Sequence, residues 1–194
     1  MEYFQYFPSW VCREELPELV EKTLNDVIPF IDTYREIQTD RRVIQTENLN
    51  NTPQFSRIGR IFLEKAERVL EDQGYTTSMY NLDVSQLWGQ ALLMGGGQYQ
   101  HTHFDAVICG LYFLKTPPKG GYPIFLDPRE AKLACDLISP ERKEITAATP
   151  RIHFNNVIPG TLLMFNNWLP HMVTPNAGEE ETVYLHVIVQ KNRK

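Results

Sequence analysis

His101, His103 and Asp105 stand at alternate positions in the stretch His101-Thr102-His103-Phe104-Asp105. Alternate side chains of an extended strand share a face, so two imidazoles and a carboxylate are expected to converge on one small volume. Such groups are ligands for a first-row transition metal. His171, at the end of the run that begins Pro159-Gly160-Thr161, is expected to join them from a distant part of the chain. Two ligand sets stay open. In one, His103, Asp105 and His171 form a facial triad of two histidines and a carboxylate, which leaves one side of an Fe(II) ion free for cosubstrate and dioxygen. In the other, His101, His103 and His171 form an all-imidazole site. The first is preferred, because a carboxylate lowers the charge on the ion; His103 and His171 belong to both.

The elements that must position these ligands change character along the chain. Met1 to Trp10 is aromatic and reads as a short strand ending near Pro8. Leu16, Leu19, Val20, Leu24, Val27, Ile28 and Ile31 then recur at helical spacing, predicting a helix bent or ended near Pro29. Thr39 to Gln54 is polar and reads as a long loop. A second helix is predicted from an N-cap at Ser56, with Ile58, Ile61, Phe62, Ala66 and Val69 as its buried stripe and Gly74 as its stop.

Beyond Gly74 the pattern is β-like, with runs at Ser85–Met94, Tyr99–His103, Ala106–Leu114, Pro123–Leu126, Thr161–Phe165 and Thr182–Gln190, separated by Gly- and Pro-rich turns. Helices followed by strands imply an α+β chain whose core is a jelly roll, or double-stranded β-helix, of two packed sheets. One domain over residues 1–194 is expected, with 1–80 as mainly helical support and 81–194 as the β core.

The chain has 194 residues and a formal net charge of −5, which speaks against a nucleic-acid or anionic-membrane partner. A small-molecule or protein substrate fits better. Three widely separated cysteines, Cys12, Cys109 and Cys135, give neither a disulfide framework nor a thiolate zinc site. With no signal-peptide pattern and no apolar run of spanning length, a cytoplasmic protein is expected. Trp88 and Trp168 read as core aromatics.

The segments Trp88 to Gly96, His101-Thr102-His103, Gly110 to Lys115 with Pro117, Phe125 to Arg129, Pro159 to Phe165, and Trp168 to Val173 with Pro175-Asn176 occur in an order that resembles a branch of the 2-oxoglutarate- and Fe(II)-dependent oxygenases, over roughly Trp88 to Gln190. The resemblance implies a double-stranded β-helix that binds Fe(II), chelation of the metal by 2-oxoglutarate, oxidation of that cosubstrate to succinate, and hydroxylation of a substrate. Phe104 stands where the branch usually has proline. Glu180, Glu181 and Thr182 stand where the family usually places the arginine or lysine that clamps the far carboxylate of 2-oxoglutarate. Lys115 is the expected substitute, with Tyr99, Tyr112, Thr182 and His186 as further contacts to that carboxylate. Two other readings remain: a non-catalytic jelly roll that binds a metal or ligand, and a cupin-like metalloenzyme that uses His101, His103 and His171 without an organic cosubstrate.

Overall fold

The computed structural model describes residues 2, 7–39, 41–134 and 145–193. Ten strands form two antiparallel sheets. They are β1 (Val11–Glu15), β2 (Val43–Gln45), β3 (Tyr80–Leu92), β4 (Gln98–His101), β5 (Ile108–Lys115), β6 (Pro123–Leu126), β7 (Arg151–His153), β8 (Thr161–Asn166), β9 (His171–Val173) and β10 (Thr182–Arg193). The major sheet runs β1-β8-β5-β10-β3-β2 and the minor sheet β4-β9-β6-β7. From β3 to β10 the chain passes back and forth between them in the manner of a jelly roll, with β6 and β7 consecutive in the minor sheet and with helices α1 (Val20–Ile37) and α2 (Ser56–Asp72) against the major sheet.

Strand alternation explains why the major sheet can be covered on both faces. On β5 and β10, Tyr112, Leu114, Val183, Leu185, Val187 and Val189 point to the helices, where they meet Val27 and Ile31 of α1 and Phe62, Ala66 and Val69 of α2. Their neighbours Leu111, Phe113, Tyr184 and Ile188 point the other way, into a second core between the sheets with Phe125, Leu163, Phe165 and Val173. Both faces exclude water, so these strands read as continuous apolar runs.

Helix α1 continues through Pro29. A proline inside a helix costs about 3 kcal/mol. Pro29 lies on the exposed face, however, while Val27 and Ile31 are fully buried against the sheet on the other, and this packing outweighs the lost hydrogen bond. Helix α2 begins at Ser56, whose hydroxyl donates to the Pro53 carbonyl instead of capping the helix, and it stops at Gly74 with φ +88°. The segment predicted as a loop from Thr39 to Gln54 contains β2, and Ile44 and Leu49 anchor it in the helix-side core. At the N-terminus the strand is Val11–Glu15, paired with β8. Of the stretch Met1 to Trp10, residues 1 and 3–6 lie outside the described residues and 7–10 are not in a strand. Cys135 and much of the segment Arg129 to Pro150 also lie outside them.

Candidate metal centre

Strand β4 ends at His101 and strand β9 begins at His171, and these two residues face each other across the ladder. His103 follows β4 in a short connection held by reciprocal bonds to Asn167. The His103 N–H donates to the Asn167 carbonyl (2.9 Å), and the Asn167 side-chain amide donates to the His103 carbonyl (3.0 Å). The result is a cluster in which one ring nitrogen from each of His101, His103 and His171 lies within 4.8 Å of the others. Ring centroids are 4.9 Å apart for His101 and His103, 4.3 Å for His101 and His171, and 5.2 Å for His103 and His171.

The same carbonyl device orients two of the rings. Nδ1 of His101 is 2.7 Å from the Tyr99 carbonyl, and Nδ1 of His171 is 3.0 Å from the Leu169 carbonyl. A carbonyl only accepts, so Nδ1 carries the proton and Nε2 presents its lone pair, the tautomer that ligates a metal. Nε2 of His103 and of His171 are buried without a hydrogen-bond partner. Burial, aided by the His101 charge, lowers the pKa of His103 to about 4. Burial lowers that of His171 to about 3, against a small opposing effect of the Leu169 hydrogen bond, with His101 and His103 adding to the fall. Both rings are therefore neutral near pH 7, the form that coordinates. Orphaned, converging, neutral imidazole nitrogens fit a transition-metal ion.

Asp105 lies outside this cluster. Strand geometry ends at His101, and Asp105 has φ +56° in an exposed turn beside the exposed Phe104. The alternation rule holds only while the backbone stays extended, and the left-handed residue ends it. His101 takes the place the sequence reading preferred for Asp105.

A cavity of about 200 Å³ leads from the three histidines between the sheets. Its walls include Trp88 and Gln90 of β3, Gln45 of β2, Gln98 of β4, Leu111 of β5, Val173 of β9, and Tyr184 and His186 of β10. Of the residues named for the cosubstrate carboxylate, His186 lines it and Lys115, Tyr99, Tyr112 and Thr182 do not. Tyr112 points to the helices, where its hydroxyl donates to the Leu16 carbonyl (2.7 Å). A register shift in the β5–β10 pair places Lys115 opposite Val183, a residue of the helix-side core. The Thr182 hydroxyl accepts from the Gly121 N–H (3.0 Å), and Tyr99 is 92% exposed. His186, by contrast, is buried in the wall, 4.9 Å from the His103 ring and 5.4 Å from Trp88, and burial holds its pKa well below the ordinary value.

Trp88 thus lines the cavity, and Trp168 is 45% exposed at a separate cleft with Tyr75 and Tyr80. Sequence reasoning passed over Gln45, Gln90, Gln98 and Tyr184. The available signal was a polar side chain at every second position of otherwise apolar strands: Trp88 and Gln90 on β3, directly opposite His186 and Tyr184 on β10.

A jelly roll with a histidine cluster fit for a metal at the mouth of a cavity lined by glutamine, histidine and tyrosine defines a class of non-haem metalloproteins. Comparison of the sequence with protein families matches residues 86–185 to the family described as "Putative 2OG-Fe(II) oxygenase", and this chain belongs to that family. Its cofactors are accordingly Fe(II) and 2-oxoglutarate. Among solved structures of the same fold, the non-haem α-ketoglutarate-dependent epimerase SnoN from nogalamycin biosynthesis is 11% identical with a TM-score of 0.64, over 94% of this chain and 77% of that one. HygX from Streptomyces hygroscopicus, with nickel, 2-oxoglutarate and hygromycin B bound, is 13% identical with a TM-score of 0.54, over 94% and 83%. A prolyl-4-hydroxylase from Pseudomonas putida is 10% identical with a TM-score of 0.58, over 95% and 94%. No curated protein matches the sequence. Among the described residues no helix is long and apolar enough to cross a membrane.

Proposed function

We infer that this oxygenase is a hydroxylase whose Fe(II) is held by His101, His103 and His171, with Asp105 outside the ligand set. The observation that carries this reading is the convergence of three ring nitrogens within 4.8 Å at the end of a cavity between the sheets. Three imidazoles on one side of an ion leave its other side open. Fe(II) and 2-oxoglutarate, when bound, supply oxidation of the 2-oxo acid to succinate and carbon dioxide by dioxygen, the second oxygen atom entering a substrate C–H bond as hydroxyl.

The chain's own residues act by positioning and exclusion. The Tyr99 and Leu169 carbonyls fix the tautomers of His101 and His171, and Asn167 fixes the connection that carries His103. Phe165 and Phe125 pack on the His171 ring, with centroids at 4.5 and 6.1 Å, and keep water from the inner side of the site. Its substrate is a small molecule or a protein side chain, admitted at the outer side, where His103 and Phe104 border solvent.

The test is metal binding followed by turnover. Anaerobic titration with Fe(II) is expected to give one ion per chain, abolished by His171→Ala and His101→Ala. Admission of air with 2-oxoglutarate is then expected to yield succinate. An ion bound equally well after His101→Ala, and lost after Asp105→Ala, would overturn the ligand assignment.

A further inference from the structure

The cavity behind the metal site holds a concentration of unpartnered polarity. Nε2 of His186 and Oε1 of Gln90 are buried without a hydrogen-bond partner, the buried Tyr184 hydroxyl has the Gln98 side-chain amide beside its oxygen and its own proton still to donate, and all three residues line the same cavity. A buried polar atom left unpaired costs about 1–3 kcal/mol. Unmet hydrogen-bonding capacity gathered in one cavity marks a site whose partner arrives as a ligand.

Their placement has a direction. On β10, Tyr184 lies two residues before His186 on the same face, so it sits about 7 Å along the strand. The His186 ring stands beside His103, whereas Tyr184 is paired directly with Gln90 across the β3–β10 ladder. The unpartnered groups therefore run away from the metal ligands along the cavity, at a reach suited to the far end of a five-carbon 2-oxo diacid chelating the ion. The Gln90 amide donates to Oε1 of Gln45 at 2.6 Å. Turning both amides over keeps that bond and points the Gln90 NH₂ into the cavity, a choice that electron-rich O and N positions leave open. Tyr184 O–H, a His186 N–H and the Gln90 NH₂ then form a set of donors only, as a carboxylate requires.

Among the described residues no lysine or arginine lines this cavity. Charge balance explains how it can do without one. Three neutral imidazoles leave the full double charge of a divalent ion in place, which a dicarboxylate dianion neutralises on binding. A carboxylate ligand on the metal would leave one negative charge over and call for a cation in the same buried volume. Neither group is present here, and their absences compensate.

Resting on the family assignment and ligand set above, we propose that the far carboxylate of the 2-oxo acid cosubstrate is held by uncharged donors, Tyr184, Gln90 and His186, and that the all-histidine metal site makes this neutral clamp sufficient.

The test uses the whole chain loaded anaerobically with Fe(II), or with Ni(II) as a redox-inert stand-in, and reads 2-oxoglutarate binding by calorimetry independently of turnover. Metal binding is measured first, so a failure of the histidine ligand set shows at that stage, apart from any failure of the clamp. Tyr184→Phe and Gln90→Leu are each expected to retain the metal and to weaken 2-oxoglutarate roughly 10- to 100-fold, the range for losing one hydrogen bond to a charged group. Tyr184→Phe keeps the packed ring and removes only a hydroxyl beside the Gln98 side chain, so its fold is preserved. The proposal is overturned if both variants bind 2-oxoglutarate within twofold of the wild type. It is overturned equally if Lys115→Ala abolishes binding while Tyr184→Phe does not, since a cation would then be the clamp. Failure of the metal-loaded wild type to bind 2-oxoglutarate at all also overturns it.

Discussion

Two buried tyrosines on neighbouring strands of one sheet should respond oppositely to the same chemical change. Tyr112 and Tyr184 are both 0% exposed, yet they lie on opposite faces of the major sheet. The Tyr112 hydroxyl donates to the Leu16 carbonyl at 2.7 Å, and its ring packs edge-on against Phe62 at 5.6 Å. Tyr112→Phe keeps the ring packing and removes that bond. The Leu16 carbonyl still accepts from the Leu19 N–H at 3.2 Å, so the loss is one hydrogen bond without a wholly stranded acceptor. That is worth about 1 kcal/mol, or roughly 2–4 °C in Tm for a chain of this size. Tyr184→Phe removes a buried hydroxyl that has the Gln98 side chain beside it and is expected to leave the stability of the ligand-free protein within about 1 kcal/mol. Urea denaturation of the metal-free protein, with the m value checked for constancy, measures both. Cosubstrate affinity should move the opposite way, unchanged for Tyr112→Phe and weakened for Tyr184→Phe. If Tyr112→Phe weakened 2-oxoglutarate binding at unchanged stability, the assignment of Tyr112 to the helix-side core would be refuted.

Saturating metal should stabilise the fold by mass action. At a free Ni(II) concentration about 100 times Kd the gain is about 2.7 kcal/mol, or roughly 5–11 °C in Tm, and a chelator should reverse it; His171→Ala should show no such shift in differential scanning calorimetry. Asp105→Asn should leave metal affinity within twofold, because Asp105 is exposed outside the cluster and asparagine tolerates its left-handed backbone; a tenfold loss in a metal titration would contradict the ligand set. Asn167→Ala removes the side-chain bond to the His103 carbonyl and should weaken metal about 10-fold while leaving the far-UV circular dichroism unchanged. Gly97→Ala should destabilise by about 1–3 kcal/mol in urea, since its Cβ would stand 2.8 Å from the Pro175 nitrogen and 2.9 Å from the Val173 carbonyl oxygen, both backbone atoms.

Period and punctuation made much of the fold legible. The stripe from Ile58 to Val69 is α2, the apolar runs from Pro123 and Thr161 are strands, and Gly74 ends a helix in the left-handed conformation. Of the strands missed, β2, β7 and β9 are three residues each, too short for an alternation to be distinguished from a loop, and β1, of five residues, was expected earlier, within Met1 to Trp10. Pro29 misled in the other direction, because a local cost of helix interruption was judged without the packing of Val27 and Ile31.

By itself the sequence determined which residues could ligate a metal, and His103 and His171 stand in the cluster by virtue of side-chain chemistry that no fold alters. It also determined, through the order of its segments, the family. Only the tertiary structure brings His101 and not Asp105 into the cluster, because strand geometry ends at His101 and Asp105, with positive φ, lies in an exposed turn, while Asn167 of a distant turn holds the connection between them. The face on which each polar strand residue lies was decided there too. A single register shift sets Lys115 opposite a residue of the helix-side core, while pairing with β3 aligns Tyr184 with Gln90 inside the cavity, and register is a relation between strands that neither strand carries alone.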